Sequence, residues 1–239
     1  MRKLILFFTS LSVILFFTSC LKAGDSSFSG QEEFFYITRQ DGLQMAYNGN
    51  FAMTSAEIKA KSEINRWYRI TWTWSTPNGM AAENANVHNA VTSQVEAVPL
   101  GAPLQTGGEV PDPVVPVSHF GAITYFPIAG LFGDYLIVQY GWKKKEGEVV
   151  DPQLYLVSPK EGETNSGLTF EFRLRKRGTA ASTTEKEVKE EAAIKLGSVR
   201  EAISFQDEKY KDVQVKINYH KDITGEPANV TFSLRIYKE

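Results

Sequence analysis

The chain opens on a largely apolar run and then changes period. Residues 4–17 are almost wholly apolar behind Arg2 and Lys3, and Thr18-Ser19 set two small residues before Cys20. After residue 30 apolar positions recur mostly at every second residue, the period of a strand with one wet face. Residues 34–38 and 43–47 are two such runs around Asp41-Gly42, a dipeptide suited to a type I′ hairpin turn. In residues 66–74, Tyr68, Ile70, Trp72 and Trp74 alternate with Arg69, Thr71 and Thr73 and make one apolar face. Trp67 falls on the other, mostly polar face, where partial exposure is expected. Residues 55–65 read as a loop or short turn, Pro77-Asn78-Gly79 as a turn, and residues 91–98 as a further strand.

Residues 99–116 hold five of the ten prolines, so they predict a linker or long surface connection rather than a strand. Beyond it, strands are expected at 135–140, 154–157, 168–174, 199–205, 213–219 and 230–237. Leu168, Phe170, Phe172 and Leu174 oppose Thr169, Glu171 and Arg173, and Val213, Val215, Ile217 and Tyr219 alternate in the same way. One segment breaks the period. Thr184 and Glu187 make a capping box, Glu185–Lys189 and Glu191–Lys195 are i,i+4 pairs, and Gly197 follows as a stop, which together predict a surface helix over 185–196. The pattern is all-β. A small barrel over 31–98 and a linker over 99–117 precede a sandwich of two antiparallel sheets over 118–239.

The beginning has the layout of a secretory signal, residues 1–19, and a cysteine directly after it is what lipoprotein processing requires. Cys20 is the expected lipidation site, with residues 20–30 as a polar, disordered tether. An apolar segment of about 14 residues spans roughly 21 Å as a helix, short of the ~30 Å hydrocarbon core. That disfavours an uncleaved span. Simple secretion is the nearer rival, but it would leave the only cysteine unpaired in an oxidising compartment. Phe17 is one departure, because the lipobox usually has Leu, Val or Ile there. Without Arg2 and Lys3 the chain carries 28 acidic against 24 basic groups, so no nucleic-acid partner is expected.

Motifs for chemistry are absent from the sequence. His88, His119 and His220 stand far apart, no G-x-S-x-G occurs, and the acidic residues lack calcium-loop spacing. No metal, cofactor or catalytic residue is assigned. Nothing selects a glycosidase-style carboxylate pair. Tyr68, Trp72 and Trp74 share a face with Ile70 and read as core. Trp67, Tyr125 and Trp142 escape that pattern and stand as candidate ligand-contact residues, since aromatic faces on a small barrel can stack sugars. The run Lys143-Lys144-Lys145 reads as a solvated hairpin tip answered by Glu146 and Glu148.

Four stretches carry a family resemblance: residues 64–70 (INRWYRI), 133–137 (GDYLI), 170–175 (FEFRLR) and 202–205 (AISF). With the Cys20 anchor and the order of features, the chain resembles the NigD-like lipoproteins of Bacteroidota outer membranes. It departs from the family pattern at Lys176, where a histidine is often found. The resemblance implies an N-terminal OB-like barrel, a C-terminal immunoglobulin-like sandwich, and a bacteriocin-immunity-like role. The expected function is a non-catalytic outer-membrane lipoprotein, on the periplasmic side or at the cell surface, joined to the membrane through Cys20. Its partner is an envelope protein or, alternatively, a glycan held on exposed aromatics. A glycan-active enzyme is the minority reading.

Overall fold

In a computed structural model, which describes residues 26–124, 135–157 and 167–238, the chain is all-β. The signal segment, Cys20, most of the tether's length, Tyr125 and Gly133-Asp134 lie outside the described residues. The first six strands are β1 (Ser27–Gln40), β2 (Leu43–Tyr47), β3 (Ala52–Thr54), β4 (Arg66–Ser75), β5 (His88–Asn89) and β6 (Val91–Ala97). They form one sheet in the order β5-β3-β2-β1-β4-β6. Only Ala90 separates β5 from β6, so both ends of that order belong to one stretch of chain and the sheet closes into a barrel. β1 is shared by β2 and β4, β3 runs parallel to β5, and helix α1 (Ala56–Lys61) links β3 to β4. That is an OB-like arrangement.

Local chemistry explains these elements. The β1–β2 hairpin turns on Asp41 and Gly42, whose φ values of 51° and 83° are the left-handed pair a type I′ turn needs. Gly30 in β1 lies under the Trp72 ring: a Cβ there would fall 2.5 Å from Trp72 Nε1. β1 begins at Ser27, so residues 27–30, expected in the tether, are instead paired with β4. α1 lies where the sequence reads as a loop or short turn. A single buried side chain, Ile58, gives it no readable period, and its start is fixed by the Ser55 hydroxyl accepting from Ile58 N–H at 3.0 Å.

The later strands are β7 (His119–Thr124), β8 (Tyr135–Lys145), β9 (Val149–Val157), β10 (Gly167–Arg177), β11 (Glu185–Lys195), β12 (Tyr210–Tyr219) and β13 (Ala228–Tyr237). A three-stranded sheet, β11-β8-β7, faces a four-stranded sheet, β13-β12-β10-β9, over one core that includes Trp142, Phe170, Phe172 and Ile217. The sandwich is antiparallel except where β10 and β12 run parallel. Val199, Ile203 and Phe205, expected in a strand, pack on this core from a 3-10 turn (Gly197–Ala202) and the chain after it, where each backbone bond closes locally.

The predicted helix over 185–196 is strand β11, in register with β8 along its length. Each i,i+4 pair offers an isolated helix only about 0.2–0.5 kcal/mol. The strand gains a full ladder, buries Ala192, Ala193 and Ile194, and sets its acids against the lysines of β8. Lys145 pairs with Glu185 at 3.6 Å and Lys144 with Glu190 at 3.3 Å. Those are the partners of the lysine run, while Glu148 turns inward to accept from Lys145 N–H and Lys176.

The proline-rich connection is not a free linker. Gly101 N–H donates to Ala193 O and Leu104 N–H to Lys195 O, along the outer edge of β11. Gln105 then exchanges backbone bonds with Leu154 and Leu156, at the edge of β9. The run therefore covers two sheet edges that would otherwise be open to pairing.

Candidate functional site

The barrel and the sandwich meet through a third, small core. Tyr36 and Trp67 on the barrel's outer wall pack with Val98, Ile137 and Ala193. Ile137 and Ala193 belong to β8 and β11, whose alternate residues face the sandwich core, so these two strands are covered on both faces. That accounts for consecutive buried residues at 136–138 and 192–194, where alternation is lost. The Tyr36 ring lies 5.5 Å from Trp67 and 6.4 Å from Tyr135, forming an aromatic bridge from one body to the other.

This geometry corrects the expected exposure of two candidate residues. Trp67 is 1% exposed, because the sandwich covers the face of β4 that reads as polar. Trp142 is also 1% exposed. Its indole N–H donates to Glu190 at 3.1 Å, so it presents almost no ring surface to a ligand. Tyr125 lies outside the described residues. Tyr68 and Trp72 are buried as expected, whereas Trp74 is half-buried at the barrel mouth.

Beside the junction the two bodies enclose an open cleft of about 680 Å³. Arg69 enters from β4, Gln139 and Tyr140 from β8, Asp151 from β9, Arg177 from β10, and Lys189, Glu190 and Glu191 from β11. Arg69 is the hub. Its Nε lies 2.8 Å from Glu191, and its terminal nitrogens reach Glu96 at 3.2 Å and Glu32 at 3.5 Å. Burial pushes the Glu191 carboxyl up, against the pull of Arg69. The Tyr140 hydroxyl is pushed up by burial and by the Glu190 carboxylate, to which it donates at 3.4 Å. Arg177 pairs with Asp151. Arg69, Asp151, Arg177, Glu190 and Glu191 are thus each committed to another group. Leu100 and Val149, 54% and 48% exposed, also line the cleft and add apolar surface among the charges.

Sequence reasoning does not find this site. Arg69 and Glu191 lie far apart along the chain, and Leu100 sits in a segment read as linker. The one available signal is complementarity between Lys143-Lys144-Lys145 and the acids of residues 185–191, which would have favoured a paired strand. Among the described residues no group of three or more His, Cys, Asp or Glu is placed to hold a metal ion.

No family model matches the chain, and no curated protein matches it in sequence. Solved structures do match. An uncharacterized protein of Parabacteroides merdae aligns over 89% of this chain and 100% of its own, with a TM-score of 0.63 at 11% identity. A candidate lipoprotein of Bacteroides fragilis aligns over 89% and 98%, with a TM-score of 0.54 at 10% identity. A NigD-like immunity protein of Bacteroides caccae is also among the similar structures, covering 87% and 96%, at a TM-score of 0.47 and 14% identity. The chain therefore shares its barrel-and-sandwich fold with these solved proteins of Parabacteroides merdae and Bacteroides fragilis.

Proposed function

We propose that this protein is a NigD-like lipoprotein of the outer membrane, anchored through Cys20, that binds another envelope protein and catalyses nothing. The observation that carries the reading is the cleft. Its walls come from both bodies, held together by a buried core, and it presents exposed Leu100 and Val149 among charged side chains. Apolar contact points set among polar and charged groups are the usual anatomy of a protein-binding surface. Most of the acids and bases there are engaged with one another, with Arg69 holding Glu32, Glu96 and Glu191, an arrangement that suits recognition by complementary charge. The burial of Trp67 and Trp142 removes two of the aromatics on which a sugar-stacking role was based.

A bacteriocin-immunity-like role is the finer form of this reading, with a partner segment entering the cleft. The test is in-cell photocrosslinking from an artificial residue at Leu100 or Val149, with Ile223 on the exposed sandwich surface as the control position. A discrete protein adduct from the cleft positions, weakened when Cys20→Ala releases the anchor, is expected. Absence of any protein adduct at Leu100 and Val149 would rule the reading out.

A further inference from the structure

The barrel has two unlike ends. At one end Arg39, Asp41, Lys59, Lys61 and Glu63 are all exposed. At the other, where β1 begins and β4 ends, the rim is made by residues 26–30, 47–52, 74–80 and 88–91, none of them Asp, Glu, Lys or Arg. The carboxyls beside it are held inward, Glu33 accepting from the Trp72 indole N–H and Glu57 from the Thr92 hydroxyl. From Ile70 to Val95 the only such residue is Glu83, in a chain whose overall charged content is 23%. That rim carries aromatic rings instead. Phe28 is 53% exposed and stacks on Trp74 at 5.6 Å. Trp74 meets His88 edge-on at 4.8 Å, and His88 stacks on Phe51 at 4.4 Å. Val91 is exposed on the same end.

The chain enters the barrel at this rim. Ser26 is held there, its carbonyl accepting from Thr76 N–H at 3.0 Å. Cys20 is six residues earlier, and six residues reach at most about 21 Å when fully extended. A lipid on Cys20 therefore keeps the uncharged rim close to the bilayer surface. Aromatic rings on a neutral polar surface are what the headgroup layer accepts, whereas charged groups keep their water. The sandwich packs on the outer barrel wall around Tyr36 and Trp67 and reaches the rim only at Tyr47, which leaves Phe28, Trp74, His88 and Val91 outside that junction.

We infer that the uncharged end of the barrel, with Phe28 stacked on Trp74, rests on the headgroup layer of the membrane that holds Cys20. This inference depends on the anchor reading. Phe28 enters the interface.

The experiment uses the protein purified from membranes and reconstituted in phosphatidylcholine vesicles, with or without bromine on the acyl chains. Mass spectrometry of the same sample reads the acyl groups on Cys20. Brominated lipid is expected to quench tryptophan emission, and Trp74→Phe to abolish that loss, since Trp67, Trp72 and Trp142 are enclosed. Phe28→Glu, at an exposed position, is expected to leave the protein acylated and bound yet unquenched. Acylated wild type with equal emission in both vesicles would overturn the orientation and spare the anchor. An unacylated Cys20 would overturn both. Emission from Trp74 that answers to added soluble oligosaccharide, and not to bromine, would make the rim a sugar site and overturn the inference.

Discussion

Trp67 and Trp74 stand at opposite ends of one strand, and their surroundings invert what their positions along it suggest. Trp67 points out of the barrel, on the face with Arg69 and Thr71, yet it is sealed by the sandwich. Trp74 points into the barrel, in line with Ile70 and Trp72, yet it is half-exposed because the barrel opens there, with Phe28 stacked on it and His88 meeting it edge-on. Facing inward is therefore not the same as being buried. The period of a strand assigns a side chain to a face, and a neighbouring body decides whether that face is wet.

The contrast between the sealed junction and the open rim can be broken by mutation, starting at the junction. Trp67→Ala removes the largest side chain of the small third core, and we expect a loss of about 3–5 kcal/mol in urea unfolding. A loss below that range would mean that the barrel and sandwich do not depend on their contact. Arg69→Met leaves Glu191 partly buried without its cation, and a loss of about 1–3 kcal/mol is expected. The same variant tests whether Glu32 and Glu96 are drawn together only through Arg69.

Glu191 sharpens the comparison through pH. Its folded-state carboxyl lies above the ordinary value of 4.5, chiefly through burial. Its contribution to stability is therefore fully present below the unfolded value and is lost as pH rises through the folded one. Glu191→Gln should remove that slope, so wild type loses stability relative to the variant as pH is raised from about 4 to 7. Glu148, held low first by its hydrogen bond from Lys176, acts in the opposite sense, with stability lost as pH falls through its depressed value. An unchanged pH profile in Glu191→Gln would mean that the carboxyl is solvated. The smallest effect belongs to the rim. Phe28→Ser should cost about 0.5–1.5 kcal/mol, because an exposed ring loses one stacking partner and little burial. A larger loss in unfolding experiments would show that Phe28 is a structural plug rather than a surface group.

Much of the fold was legible, for identifiable reasons. Asp41-Gly42 marks its hairpin because few dipeptides accept two left-handed residues in succession. Leu168 to Leu174 and Val213 to Tyr219 alternate because each of those strands has one face on the sandwich core. The errors cluster where a strand has two covered faces or where local energies are small. β11 reads as a helix because its Glu–Lys spacing satisfies i,i+4 pairing, but the same charges serve a cross-strand ladder to Lys144 and Lys145. The cleft was not legible at all, since Leu100, Arg69, Asp151 and Glu191 come from four separate parts of the chain.

By itself the sequence determined the all-β class, the hairpin and the core faces of the later strands. These depend on the period of apolar residues and on turn chemistry, which act over a few neighbouring positions. Only the tertiary structure decided that Trp67 and Trp142 are enclosed, that residues 185–195 are a strand, that the proline-rich run covers two sheet edges, and that Arg69 gathers three carboxylates. Each of those outcomes depends on a partner distant in sequence, and burial and pairing with such a partner outweigh the few tenths of a kcal/mol that local preference supplies.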